Sequence, residues 1–386
     1  MELTLMNKNK KIFDFVYDNQ MHTVIKIENC YLENEKYAPL GLIKNHQVDT
    51  FQLNRWWKNR QIPASRNGLK QVLYNSQIYD QDVFDLLDAK AYGLSLSDQY
   101  WVKERNDDVK WDEINFFDHE FSEDIGKILF DGEETPLQLN LNTPDMTSNG
   151  NYEKRWKIIN GERYLIKAGG KVFNQEPYNE IIATHLYKRI LNEGEYVEYQ
   201  LMNEGKRVVS LCKNFIDKNT ELIPAWKVNE YLKYDENENK YEHYIRCLNA
   251  LKVPHARMMV DKMIVCDYLL ANKDRHYNNF GVIRNVETLE YERVAPLFDN
   301  GCSLWFDEND MYVGEFFLTK PFESYEKMQL GLVEDFSWFD LKKLDGFVDE
   351  VRDILSQNPL LSKERIEKIC CEINQRIDYL ISISCE

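Results

Sequence analysis

At 386 residues, with 43% apolar and 29% charged residues, the chain has the composition of an ordinary globular protein, not of a disordered or fibrous one. Its formal net charge of −17 argues against nucleic acid or an anionic membrane as the main partner, because phosphate-rich surfaces would repel it. No run approaches the roughly 18 apolar residues a membrane span needs. The first ten residues carry no apolar core of a signal peptide, so a cytoplasmic setting is expected.

The eight cysteines agree with that setting. They form no CxxC pair and no zinc-like spacing, and most sit in apolar runs such as Val265-Cys266-Asp267-Tyr268-Leu269. There a reduced thiol packs as a small hydrophobe.

Residues 1–52 predict mixed strands, and residues 53–101 predict helices with breaks, including Leu69–Leu73 and Asp82–Leu87. A basic cluster of Lys58, Arg60, Arg66 and Lys70 beside Trp56 and Trp57 reads as a solvated helix face, with a partner site as the alternative. Residues 103–134 hold 12 Asp/Glu against 4 Lys/Arg. That excess reads as a solvated surface segment, or else as a docking face for a basic partner. Leu139 to Gly150 is loop chemistry and closes an accessory region over 1–140.

A hairpin follows. Arg155–Ile159 and Glu162–Lys167 flank Asn160-Gly161, and Asn-Gly between two strand-like runs is a strong hairpin signal, because the tight turn needs positive φ at both positions. Alternation puts Leu165 and Lys167 on one face of the second strand. A helix comes next, with Pro177 in its first turn, Glu180 near its start and Ile182, Leu186 and Ile190 at helical spacing. Strands are expected at Tyr196–Met202 and Arg207–Cys212. After Asp217 the pattern turns mainly helical, with helices at Met258–Leu270 and Lys363–Ile383. The expected fold is α+β and bilobal: a small β-rich lobe (141–216) before a larger helical lobe (217–386), with an extra N-terminal α/β region.

The chemistry concentrates in one stretch. Between the Met258–Leu270 helix and a strand-like run lies Asn272-Lys273-Asp274-Arg275-His276-Tyr277-Asn278-Asn279, with Asp274 and Asn279 five residues apart. A return strand over Leu289–Phe298 ends in Asp299-Asn300-Gly301, 20 residues after Asn279. Phosphoryl transfer needs a carboxylate for the attacking hydroxyl, oxygen ligands for Mg²⁺ and a cation on the nucleotide phosphates. Asp274 supplies the first, Asn279 and Asp299 the second, and Lys167, held by Glu180, the third. His276 reads as a brace of the loop, since the proton already has Asp274 to go to.

Asp274-Arg275-His276-Tyr277-Asn278-Asn279-Phe280-Gly281 with Asp299-Asn300-Gly301 resembles the HipA-like kinases, a bacterial serine/threonine kinase group related to phosphoinositide kinases. The resemblance covers residues 145–385 and extends to Ser148-Asn149-Gly150-Asn151, at the position of the family's phosphate loop. It implies a protein-kinase-like fold and an ATP- and Mg²⁺-dependent kinase acting on Ser/Thr hydroxyls of a protein, its own chain included. By that resemblance Asp274 is the base, Asn279 and Asp299 bind Mg²⁺, and Lys167 binds the phosphates. Cys212 to Phe215, with Lys213, would be the hinge that holds adenine. The phosphate loop has one glycine where protein kinases carry several, and Asp-Asn-Gly stands where they have Asp-Phe-Gly.

Two alternatives stay open. A phosphoinositide-type lipid kinase shares the DRHxxN element, but the −17 charge and the lack of a basic membrane face weigh against it. A catalytically silent binding or toxin–antitoxin module is the other, against which the intact Lys167, Asp274, Asn279 and Asp299 argue. The protein substrate is not legible. A cognate antitoxin or other regulatory protein is the partner the resemblance implies, without direct nucleic-acid contact and without a membrane.

Overall fold

The structure, a computed structural model, describes all residues except 19, 22, 61–91, 132–139, 141, 148–152, 206 and 385–386. The expected helices at Leu69–Leu73 and Asp82–Leu87 lie outside the described residues. The chain divides into two compact units. The first comprises Met1–Ile166, Asn214–Leu222 and Asn285–Glu290, and the second Lys167–Lys213, Ile223–Arg284 and Tyr291–Glu386.

In the first unit, strands β1 (Glu2–Asn7), β2 (Lys10–Asp18) and β3 (Thr23–Cys30) form an antiparallel meander. A short β4–β5 pair (Ile43–Lys44, Gln47–Val48) follows, and β6 (Tyr100–Glu104) adds to β1, so the strand order is β3-β2-β1-β6. Strand alternation sorts the side chains. Phe13, Phe15 and Tyr17 of β2 join Leu3 and Leu5 of β1 in a core against Trp56 and Trp57 of the Thr50–Arg60 helix. Met6 and Trp101 build a second cluster with Leu94, Leu96, Trp111 and Phe116. Arg60 departs from the expected solvated face. It pairs with Asp98, donates to the carbonyls of Gly93 and Tyr100 at 3.1 and 3.2 Å, and stacks 4.8 Å from the Trp56 ring. Its charge holds a turn together inside the unit, while Arg66 and Lys70 lie outside the described residues.

The Asn-Gly hairpin forms where expected, as β7 (Lys154–Ile159) and β8 (Glu162–Lys167). Asn160 and Gly161 have φ of +52° and +83°, the left-handed pair that such a turn requires. Ile166 is fully buried, which leaves Lys167 on the opposite face of β8.

The second unit opens with the Glu176–Ile190 helix, whose start carries Pro177. An antiparallel pair follows, β9 (Tyr199–Glu204) with β10 (Arg207–Lys213). Strand β9 begins three residues later than expected because Tyr196 and Val197 pair elsewhere. Tyr196 bridges Leu297 in parallel, and the Val197 amide donates to the Leu297 carbonyl at 2.9 Å. After β11 (Thr220–Pro224) comes the Ala256–Leu269 helix, in which twelve of fourteen residues are buried, so it can only be a core helix. It feeds the Asn272–Asn279 loop and then β12 (Gly281–Asn285), which pairs antiparallel with β13 (Tyr291–Val294). The return strand is shorter than the expected 289–298, since Pro296 has no N–H to continue a ladder. The Lys363–Ser384 helix matches expectation to within a residue. Among the described residues no helix is long and apolar enough to cross a membrane.

Gly281 is where this fold is least forgiving. A Cβ there would lie 2.1 Å from the Ile223 carbonyl oxygen and 3.0 Å from the Pro224 Cα, both backbone atoms. Gly281→Ala is therefore expected to lower stability by roughly 1–3 kcal/mol or more, as overpacking does. The denaturant midpoint of the variant against wild type checks it, and an unchanged midpoint would contradict the close approach.

Candidate active site

Of the residues expected to carry the chemistry, Lys167, Glu180 and Asp299 meet in the second unit. Lys167, at the end of β8, places its ammonium 2.7 Å from Glu180 Oε1 and 2.7 Å from Asp299 Oδ1. The Tyr199 hydroxyl lies 3.5 Å from the same nitrogen. Burial alone would push this ammonium towards neutrality. The carboxylates of Asp299 and Glu180 outweigh it and hold the pKa well above the ordinary lysine range. Glu180, buried in the Glu176–Ile190 helix, spends its other oxygen on the Asn300 backbone amide (3.0 Å) and side-chain amide (3.3 Å). One carboxylate thus positions both the lysine and the loop that carries Asp299.

Asp299 has φ +62°, a conformation that costs a non-glycine residue energy and is kept only where the surroundings enforce it. Its amide donates to the Tyr199 hydroxyl at 3.3 Å. Burial pushes the Tyr199 phenol well above its usual range, so the hydroxyl stays protonated. Burial likewise pushes the neighbouring Cys212 thiol up to about 12, which leaves it a packed thiol and no nucleophile.

The link between the two loops is Arg275. It is fully buried and meets Asp267 side-on, Nε to Oδ2 at 2.9 Å and Nη2 to Oδ1 at 2.8 Å. Its remaining donors reach the carbonyls of Asn279 (2.9 Å) and Phe298 (2.5 Å) and Asn300 Oδ1 (2.7 Å). Burial works against this charge, but Asp267 more than offsets it. Asn300 Oδ1 also accepts from the buried Tyr187 hydroxyl at 2.6 Å. Asn279 donates its amide to the Asp274 carbonyl at 3.1 Å, which turns its side-chain oxygen outward from that bond. Asp274 Oδ1 lies 2.7 Å from Lys320 Nζ. His276 Nδ1 accepts from the Asn278 amide at 3.2 Å, a bond of the bracing kind.

Other expected positions contribute less. Lys213 ends β10 with its side chain exposed, and Phe215 falls in the first unit. Ser148, Asn149, Gly150 and Asn151 lie outside the described residues. Sequence reasoning passed over Tyr199, Asp267, Asn300 and Lys320 and gave Arg275 no role of its own. For Arg275 and Asp267 a signal existed, an Arg within the loop and an Asp in the apolar second half of the preceding helix. Tyr199 and Lys320 carried none.

The donor set fits Mg²⁺ and a nucleotide. An amide oxygen and a carboxylate suit a hard cation that takes its other ligands from phosphates and water, and a charged lysine suits phosphate. Among the described residues no group of three or more His, Cys, Asp or Glu could hold a metal ion by itself.

No family model matches the chain. Over 178 residues it is 27% identical to the serine/threonine-protein kinase CtkA of Helicobacter pylori, a match that takes in 42% of this chain and 53% of that protein. The chain thus spans about half the length of that curated relative. Among solved structures, the Shewanella oneidensis toxin–antitoxin complex of HipA, HipB and operator DNA contains a chain similar to this one with a TM-score of 0.56. The similarity covers 98% of this chain and 97% of that one at 12% identity. The crystal structure of CtkA gives a TM-score of 0.47 at 19% identity, over 62% of this chain and 93% of that chain. The fold is kinase-like, of the HipA type, as the sequence led us to expect.

Removing the Arg275 guanidinium strands Asp267 as a buried, unpaired charge, so Arg275→Met should destabilise the chain by roughly 3–5 kcal/mol. Adding Asp267→Asn should recover part of that loss. Urea denaturation of the two single variants and the double variant measures both effects; additive losses would mean that the two residues are not coupled.

Proposed function

We propose that the chain is an ATP- and Mg²⁺-dependent kinase that transfers the γ-phosphate of ATP to a Ser/Thr hydroxyl of a protein. The observation that carries this reading is the Lys167 ammonium set 2.7 Å from both Glu180 and Asp299, on a loop that Arg275 ties to Asn279. The serine/threonine kinase activity for which the Helicobacter pylori relative is named supports the same reaction class. In this reading Asn279 and Asp299 hold Mg²⁺, and Lys167 turns from Asp299 towards the phosphates while Glu180 keeps it aimed. Bound Mg²⁺ would neutralise charge that builds on the transferring phosphoryl. Asp274 orients the substrate hydroxyl and accepts its proton.

The substrate is a protein in this proposal, and a regulatory protein partner of the kind named for the Shewanella oneidensis structure is compatible with it. The cytoplasm is the compartment we assign, which suits an ATP consumer whose seven described cysteines are all free thiols. Self-phosphorylation would fall on Thr147 or Ser148, the two hydroxyls just before Gly150; Thr147 donates its hydroxyl to the Leu94 carbonyl at 2.9 Å. It would have to give up that bond to react.

The test separates a base from a ligand. Asp274→Ala should slow phosphate transfer by roughly 10²–10⁴-fold, as loss of a general base does, with affinity for a non-hydrolysable ATP analogue close to wild type. Asp299→Ala, or removal of Mg²⁺, should weaken analogue binding as well as transfer. Calorimetry and transfer from γ-labelled ATP read the two quantities. Wild-type transfer by Asp274→Ala, or binding indifferent to Mg²⁺, would defeat the assignment.

A further inference from the structure

The two oxygens of Asp274 are not equivalent. Among the described residues, Oδ1 is held by Lys320 Nζ at 2.7 Å, while Oδ2 has only His276 Nε2 near it, at 3.8 Å and beyond hydrogen-bond reach. Lys320 arrives from a segment 46 residues further along the chain. Its head is half-exposed, but its backbone is pinned. The buried Gln329 donates Nε2 to the Lys320 carbonyl at 2.7 Å and accepts the amides of Phe322 and Glu323 at 3.0 and 3.4 Å. Phe322 is itself buried, edge-on to Tyr241 and Phe280. An exposed ion pair normally contributes little, because two mobile side chains must be held in one geometry. Here the backbone of the lysine is fixed by the buried Gln329, and the partner is the proposed base.

We propose that Lys320 is a positioning residue of the transfer, an inference that rests on the kinase reading above. It occupies Oδ1, so that Oδ2 alone is presented to the substrate hydroxyl. In the step itself, the substrate oxygen bonds to the γ-phosphorus and the bond from that phosphorus to the β–γ bridging oxygen breaks. The electron pair leaves with ADP, and the hydroxyl proton passes to Oδ2. Lys320 neither gives nor takes a proton. It stops the carboxylate from rotating about its own axis and turning either oxygen to water, and misalignment of that order is costly in rate.

The test uses the full chain, γ-labelled ATP and Mg²⁺, with self-phosphorylation and ATP hydrolysis as readouts. Lys320→Met should lower kcat about 10–10²-fold, the scale of a displaced catalytic group, with KM for ATP and melting temperature unchanged. Lys320→Arg keeps a cation and a donor and should recover most of the rate. Lys320→Gln, uncharged, should behave as Lys320→Met does and replaces it if that variant fails to fold. A Lys320→Met chain as fast as an active wild type, or a Lys320→Arg chain as slow as Lys320→Met, overturns the role of Lys320 and leaves the kinase reading standing. A wild type that binds ATP with Mg²⁺ yet transfers no phosphate overturns the kinase reading and this inference together.

Discussion

Arg275 carries its charge in complete burial, and the protein tolerates this because Asp267 meets the guanidinium with both oxygens while three further acceptors take its remaining donors. A guanidinium presents its donors in one rigid plane, so satisfying all of them fixes the relative positions of every acceptor. Those acceptors belong to the core helix, to the end of the Asp274–Asn279 loop and to the Phe298–Asn300 segment. Two loops separated by a hairpin are thereby set against each other and against the helix. A lysine could not do this, since it offers three donors about a point and no plane.

Lys167 solves a related problem in a different way. Its ammonium lies between two carboxylates, so it stays charged despite its burial and is available as a phosphate ligand. Glu180 links this to the first arrangement, because its second oxygen takes the Asn300 amides and Asn300 in turn accepts from Arg275. The chain of contacts Lys167–Glu180–Asn300–Arg275–Asp267 is continuous. The left-handed backbone of Asp299 sits in the middle of it, held by neighbours on both sides. A buried polar network of this kind is worth having only when every member is satisfied, and here each one named has a partner.

A second buried arginine braces the start of the Glu176–Ile190 helix. Arg365 is fully buried, reaches Gln175 Oε1 twice, at 3.1 and 3.0 Å, and donates to the carbonyls of Trp305 and Glu308 at 2.6 and 2.7 Å. Gln175 then donates to the Leu304 carbonyl, and Asn179 donates to those of Gly301 and Ser303. The start of the helix that bears Glu180 is thus stitched to the segment just after Asp299, and the carboxylate and the lysine it aims cannot drift apart by helix sliding.

Local chemistry was legible from residues alone wherever a short-range rule governs it. Asn160-Gly161 specified its turn because few other pairs accept two positive φ values, and Pro177 marked a helix start because its missing N–H costs nothing there. The spacing of Asp274, Asn279 and Asp299 pointed to a hydroxyl, a cation and phosphate, since oxygen ligands on adjoining loops have few other uses. Where long-range pairing decided, the sequence was mute. The start of β9 depended on its pairing with Leu297, a partner far along the chain. Arg60 looked like a solvated helix face and proved to be a half-buried clamp on Asp98, because helix periodicity cannot show what packs against an end residue. The sequence by itself singled out the polar residues of the proposed site and their order along the chain. Only the tertiary structure decided which of them meet, because Tyr199, Asp267, Asn300 and Lys320 act through directional bonds to residues that no local pattern pairs with them.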